Sequence, residues 1–282
     1  MNVSTLKLAI QEHIAHLQFK RPAAYNTLNK AFWQEFPQAI QSIHQAEDVR
    51  VLVISSTGKH FSAGLDLDFF TQPDPRLFSG EGSRRAEFVY RLVLELQACF
   101  NQLEQLRIPV LAAIQGACIG GALDLICACD CRYASEEAFF CVKETQMGMV
   151  ADLGTLQRLP RLISPGLARE LVYTSRNMPA SEAQAAGLVN QLFPDTNSLL
   201  EGVMDIAKQI ATQSPVAVMG SKNILNHARD HSITDSLTYT AAWQAGMLQP
   251  ADLMESMVAK TQKRDPAYKP LHPATASWTH KP

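Results

Sequence analysis

Three carboxylates stand where a charge is expensive. Asp124 lies in Ile119-Gly120-Gly121-Ala122-Leu123-Asp124-Leu125-Ile126-Cys127, a run with no other charged residue. A buried carboxylate must be paired, hydrogen-bonded or used. Asp124 could bond the unpaired NH groups of a helix's first turn, or it could be an acid–base group. Glu144 follows Phe139-Phe140-Cys141-Val142-Lys143, and Asp152 comes eight residues later. Each also has a plain reading: Glu144 as a solvated partner of Lys143, Asp152 as the N-cap of a helix starting near Thr155. Gathered in apolar surroundings, the three would have pKa values raised toward the range useful for proton transfer. Asp130 is read as a partner of Arg132 or an anchor for a loop.

Two small-residue turns offer the complementary chemistry. One runs from Gly58 to Asp66 and the other from Gly116 to Gly121, each after a buried-strand pattern. Ala63, Gly64, Gly120 and Gly121 let a ligand approach the backbone closely. NH groups at a helix start are free to donate, and two aimed at one point make an oxyanion hole. Two tight packing turns would fit the spacing equally well. Neither turn carries the dinucleotide pattern G-x-G-x-x-G, and no Gly-x-Ser-x-Gly elbow occurs. The eight histidines are scattered, with no His-x3-His pair beside a suitable glutamate. His60, beside the first turn, is read as a surface residue, and Lys222 as a solvated helix lysine. Cys127, Cys129 and Cys131 alternate without zinc spacing and are read, like the other cysteines, as reduced thiols. No metal site is expected.

The elements that must position these groups follow from periodicity. Lys7–Ile10 and Ile14–Phe19 read as paired strands, and Val49–Ser55 and Pro109–Ile114 as buried ones. Leu28, Phe32, Phe36 and Ile40 mark one face of a helix capped by Thr27 or Asn29. A polar stretch from Thr71 to Arg85 precedes a long amphipathic helix over about 86–106. An apolar helix follows Gly121, and 132–134 and 138–140 read as short strands. Ser181-Glu182-Ala183-Gln184 has the capping-box pattern, residues 194–198 form a break, and the remainder is mainly helical. The alternation gives an α/β class. At 282 residues and a net charge of −2, the chain can bury a large core and shows no nucleic-acid surface. No apolar run has membrane-span length, and neither end reads as a secretory, transit or peroxisomal signal, so the expected location is cytoplasmic.

In order along the chain, Arg21-Pro22 with Asn26-Thr27-Leu28, Phe61-Ser62-Ala63-Gly64-Leu65-Asp66-Leu67, residues 116–130, residues 155–160, and Ala180 through Gly187-Leu188-Val189 to Pro194 resemble the crotonase, or enoyl-CoA hydratase/isomerase, superfamily. Within it the chain looks most like the dienoyl-CoA isomerase branch. Asp124 stands where hydratases usually have a glutamate, Val142-Lys143-Glu144 keeps the second carboxylate, and Ala151-Asp152-Leu153-Gly154 puts an aspartate where hydratases have a glycine-rich turn. Asp230-His231-Ser232 and Met247-Leu248-Gln249 also match that branch. Ala122 replaces a glycine common in relatives.

The resemblance implies a spiral of strand–strand–helix repeats over residues 1–198. It also implies a C-terminal helical oligomerisation region over 199–282 that builds homotrimers or homohexamers. The Leu65 and Gly121 amides would bind a thioester oxygen. Ala24, Ser62, Ala63, Gly64, Leu65, Asp66 and Gly121 would hold an acyl-CoA, which brings coenzyme A as part of the substrate, so no separate cofactor is expected. The implied reaction converts a 3,5-dienoyl-CoA to the 2,4-isomer in fatty acid β-oxidation, with Glu144 at C2, Asp152 at C6 and Asp124 in support. An enoyl-CoA hydratase is disfavoured by the shorter Asp124 and the extra Asp152. A non-catalytic acyl-CoA-binding scaffold is disfavoured by the retained acidic groups. The missing organelle-targeting ends of animal relatives point to a bacterial, cytoplasmic form.

Overall fold

A computed structural model describes residues 1–248 and 250–272. Gln249, used above, and the C-terminal His280-Lys281-Pro282, which does not read as a peroxisomal signal, lie outside the described residues. The strands are β1 (Leu6–Gln11), β2 (Ile14–Phe19), β3 (Val51–Ser56), β4 (Val110–Ile114), β5 (Ala117–Ile119), β6 (Cys131–Ser135), β7 (Phe139–Cys141), β8 (Met178–Pro179) and β9 (Gln191–Phe193). The helices of the first part are α1 (Lys30–Gln45), α2 (Asp68–Thr71), α3 (Gly82–Gln105), α4 (Gly121–Cys127), α5 (Thr155–Leu162), α6 (Pro165–Thr174) and α7 (Ala180–Ala185). Then come α8 (Thr196–Ala211), α9 (Pro215–Asp230), α10 (Ile233–Met247) and α11 (Pro250–Gln262).

Six strands form one sheet in the order β1-β2-β3-β4-β6-β9, and three form a second in the order β5-β7-β8. In the large sheet only the β1–β2 pair is antiparallel. The spiral is visible in the connections. β4 belongs to the large sheet, β5 to the small one, and α4 follows; β6 and β7 repeat the step before α5. Ser62 bridges Cys118 in parallel, so the segment after β3 makes the same step. The expected α/β spiral is therefore present.

Side chains of β3 alternate between two cores. Val51 and Val53 meet Leu111, Ala113 and the Leu199, Val203 and Ala207 face of α8, while Leu52 and Ile54 face the larger core with Phe32, Phe36 and Phe100. The spacing of the α8 residues puts them on one helical stripe, so α8 closes the second face of the sheet. A strand buried on both faces needs apolar residues at every position, as its sequence has.

Some boundaries differ from the sequence reading. α3 starts at Gly82 because the Glu81 side chain accepts from Ser83 N at 3.1 Å, which extends the helix into the polar stretch. Ser181 is not a cap: the chain enters α7 directly from β8, with Pro179 in the N-cap position. Residues 194–198 are mostly helix, since Asp195 accepts from Asn197 N and Ser198 N, both at 2.9 Å. The second small-residue turn contains β5. Lys222 is buried rather than solvated. Its Nζ donates to Leu103 O (2.8 Å), Ile108 O (3.0 Å) and Asp130 Oδ2 (2.8 Å). Asp130 also accepts from Val110 N at 2.7 Å, whereas Arg132 turns away to Leu188 O and Cys129 O.

Candidate active site

The two small-residue turns are laced together by main-chain bonds. Ser62 N donates to Ala117 O at 3.0 Å, and Ile119 N to Ser62 O at 3.1 Å. Leu28 bridges Leu65 by accepting Asp66 N and donating to Gly64 O, which leaves the Leu65 NH on the opposite side of the strand. Gly64 has φ +84°, and a Cβ there would stand 2.5 Å from Ile119 O and 3.4 Å from Gly121 N. Only glycine permits both that backbone conformation and that approach. Gly121 is the first residue of α4, where an NH has no intrahelical acceptor. Among the described residues, neither the Leu65 nor the Gly121 amide donates to a protein acceptor.

Glu144 opens a short 3-10 turn, Glu144–Met147, directly after β7. Its Oε1 would lie 3.0 Å from a Cβ on Gly120, so the carboxylate sits against the second turn. Its Oε2 is buried without a hydrogen-bond partner. Burial is the main cause that raises its pKa, and the nearby Asp152 charge adds to it. Lys143 is not its partner; Lys143 Nζ turns to Gln146. An orphaned carboxylate oxygen beside two unpartnered amides is what a site awaiting a ligand atom looks like.

Asp124 is 1% exposed and accepts from Thr155 N at 2.6 Å. It therefore caps α5, the place the sequence reading gave to Asp152, from a position inside α4. Its pKa is raised to about 7, first by burial and then by Glu144, with the Thr155 bonds opposing and Asp152 adding a smaller push. The two carboxyls lie close enough for their titrations to be coupled.

Asp152 is displaced from its expected setting. It lies at an open rim with an exposed side chain, and its carbonyl accepts from Gln97 Nε2 at 2.6 Å. Its pKa is still raised, because the protein encloses one side of the carboxyl. Met147, Met149 and Val150 in the same loop are exposed, so the segment leading to the rim is apolar.

The residues expected to hold coenzyme A divide into two groups. Ser62 is completely buried, and its Oγ accepts from Gly64 N at 3.1 Å, so it shapes the turn and cannot touch a ligand from the surface. Asp66 is tied to Thr27 Oγ1 (2.6 Å) and Arg21, and the Thr27 bond is the main cause that lowers its pKa. Ala63 is half-buried, and its NH bonds Tyr25 O at 3.0 Å, which places it beside the half-buried Ala24.

His60 was missed as a structural element of the site: its Nδ1 accepts from Ala117 N at 3.0 Å. Its position beside the first turn was the only sequence signal. A cavity of about 360 Å³ lies elsewhere, between α3, α5 and α9, lined among others by Glu104, Arg158, Arg229 and Asp230. Ion pairs fill its walls, and it shares Leu153 and Gly154 with the neighbourhood of the site. The candidate site is instead the neighbourhood of the second turn, where Glu144 lies against Gly120. No helix among the described residues is long and apolar enough to cross a membrane, and the described residues contain no cluster suited to a metal ion.

Residues 9–270 match the family model described as enoyl-CoA hydratase/isomerase. The chain is 42% identical over 256 residues to the mitochondrial Delta(3,5)-Delta(2,4)-dienoyl-CoA isomerase of Mus musculus, spanning 90% of this chain and 78% of that protein. It is 43% identical over 259 residues to the peroxisomal Delta(3,5)-Delta(2,4)-dienoyl-CoA isomerase of Arabidopsis thaliana, spanning 92% and 93%. The crystal structure of an enoyl-CoA hydratase from Bacillus anthracis superposes with a TM-score of 0.84 at 31% identity, over 94% of this chain and 99% of that one.

Proposed function

From its membership of the enoyl-CoA hydratase/isomerase family, to which the chain belongs, we propose that it converts 3,5-dienoyl-CoA to 2,4-dienoyl-CoA in fatty acid β-oxidation, with Glu144, Asp152 and Asp124 as its acidic groups. The thioester oxygen sits between the Leu65 and Gly121 amides. Ionised Glu144 takes a proton from C2, and the electron pair moves into a conjugated enolate whose charge rests on that oxygen. Asp152 delivers a proton to C6, leaving double bonds at C2 and C4. The amides act on charge that grows toward the transition state, which is where a fixed donor accelerates a reaction. One proton is removed and one is delivered, so mass is conserved. Each turnover leaves Glu144 protonated and Asp152 ionised. Both groups are then reset: Glu144 gives its proton up to solvent once the product leaves, and the exposed Asp152 takes one from water. Asp124, raised to about 7, supports Glu144 and holds α5 in place through Thr155.

The orphaned Oε2 of Glu144 carries this reading. Purified protein offered a 3,5-dienoyl-CoA yields the conjugated 2,4-diene, read by absorbance, with no change in product mass. Uptake of water by a 2-enoyl-CoA with no diene shift favours a hydratase; tight acyl-CoA binding without turnover favours a scaffold. Asp152→Asn is expected to abolish most turnover and to spare substrate binding, and near-normal turnover would reject its role.

The C-terminal helices build a homotrimer, or a hexamer of two trimers. Ile233, Leu237, Leu253, Met254 and Met257 leave a broad apolar face on α10 and α11, and a second copy of this chain fits it. Light scattering at a single-chain mass would refute this. Ala24, Ala63 and the shaped turn from Ser62 to Asp66 receive coenzyme A. The six cysteines are all unbridged, which fits a reducing compartment.

A further inference from the structure

We propose that His60 is a positioning residue for the reaction, holding the second amide of the oxyanion hole in place through the Ala117 NH. This inference rests on the reading of Leu65 and Gly121 as that hole. The geometry has three parts. First, the ring accepts the Ala117 amide at 3.0 Å through Nδ1, which requires a neutral imidazole with its proton on Nε2. Second, the histidine is fixed from both sides. Its carbonyl accepts from Asn26 Nδ2 (2.9 Å) and Ser56 Oγ (3.0 Å), and its ring packs against Tyr25 with centroids 5.7 Å apart. Third, Ala117 begins β5, the short strand that ends two residues before Gly121.

The remaining bonds of β5 lead straight to the hole. The β7 ladder pairs Ala117–Ile119 with Phe139–Cys141, Ser62 holds Ala117 O and Ile119 N, and Cys141 O accepts from Gly120 N at 2.9 Å. The Ala117 NH is the only contact in this series made to a side chain, so it is the one a substitution can remove. Gly116, with φ +56°, brings the turn against the ring; a Cβ there would stand 2.7 Å from His60 Nδ1. Burial, with Lys59 adding and Glu137 opposing, holds the ring below the ordinary histidine range, which favours the neutral acceptor.

Without the acceptor, the Ala117 end of β5 loses one of its anchors beside Ser62 and the β7 ladder, and the Gly121 amide is held less firmly toward the enolate oxygen. A displaced donor weakens transition-state binding more than ground-state binding. His60→Ala should therefore lower kcat for the 3,5-dienoyl-CoA about tenfold while KM changes less than about twofold. His60→Asn places Oδ1 near the position of Nδ1 and should restore kcat to within about threefold of the natural protein. Wild-type kcat in His60→Ala would overturn the proposal, as would equal losses in the two variants. If His60→Ala does not fold, the ¹⁵N spectrum of the unsubstituted protein decides. Neutral His60 with its proton on Nε2 supports the proposal, and a proton on Nδ1 refutes it. Gly121→Pro separates the two ideas, because proline at the first helical position deletes the NH while tolerating the helix. Full activity in folded Gly121→Pro removes the hole itself; loss there with a normal His60→Ala removes only the positioning role.

Discussion

Asp124 and Asp130 lie six residues apart in one apolar stretch, and the structure gives them opposite fates. Asp130 meets the buried ammonium of Lys222 and the Val110 amide, so its charge is matched. Asp124 meets one amide, Thr155 N, and otherwise faces the carboxyl groups of Glu144 and Asp152. The first arrangement ties α3, α9 and β4 together. The second leaves a buried carboxyl facing other acids, and its pKa rises to about 7. A buried carboxylate in this protein is therefore structural where a cation answers it and poised for chemistry where only other acids do.

Substitutions can break this contrast. Glu144→Gln should give the largest effect, about a 10³- to 10⁴-fold fall in kcat, with the unfolding midpoint unchanged or higher. A loss of stability instead would move Glu144 to the structural side. Lys222→Met should do the opposite, lowering the unfolding free energy by about 1–3 kcal/mol because the Leu103 and Ile108 carbonyls and the half-buried Asp130 carboxylate lose their common donor. Turnover per folded molecule should hold, and chemical denaturation with active-site titration checks both halves.

The pH dependence sharpens the contrast further. Asp124 has a folded pKa of about 7, above its ordinary 3.8, so folded protein keeps a proton that the unfolded chain releases between those values. Its stabilising contribution is complete below about pH 4 and is lost as pH rises through about 7. Denaturation from pH 5 to 8 should show the natural protein losing about 3 kcal/mol relative to Asp124→Asn. A parallel course for the two proteins would show that Asp124 titrates normally. The smallest effect belongs to Asp195, which caps α8 in solvent as Asp124 caps α5 in the interior. Asp195→Ala should lower the unfolding midpoint slightly at every pH where Asp195 is ionised, with no change in kcat.

The sequence by itself determined the α/β class, the buried strands, the two small-residue turns and the identity of the three acids. These follow from local facts: continuous apolar runs, glycine where the backbone must pass closely, and charge in apolar surroundings. Only the tertiary structure decided what each group faces. It moved the α5 cap from Asp152 to Asp124, set Asp152 on an open rim, buried Lys222 and gave His60 an amide to accept. Ser62 showed the same limit, since its turn was legible but its complete burial was not. The physical reason is range. Periodicity and turn chemistry act over a few residues, whereas Asp124 meets Thr155 across 31 positions and Lys222 meets Asp130 across 92. Electrostatic partners at that separation are chosen by how layers of strands and helices stack, and nothing in the local sequence around either group encodes that choice.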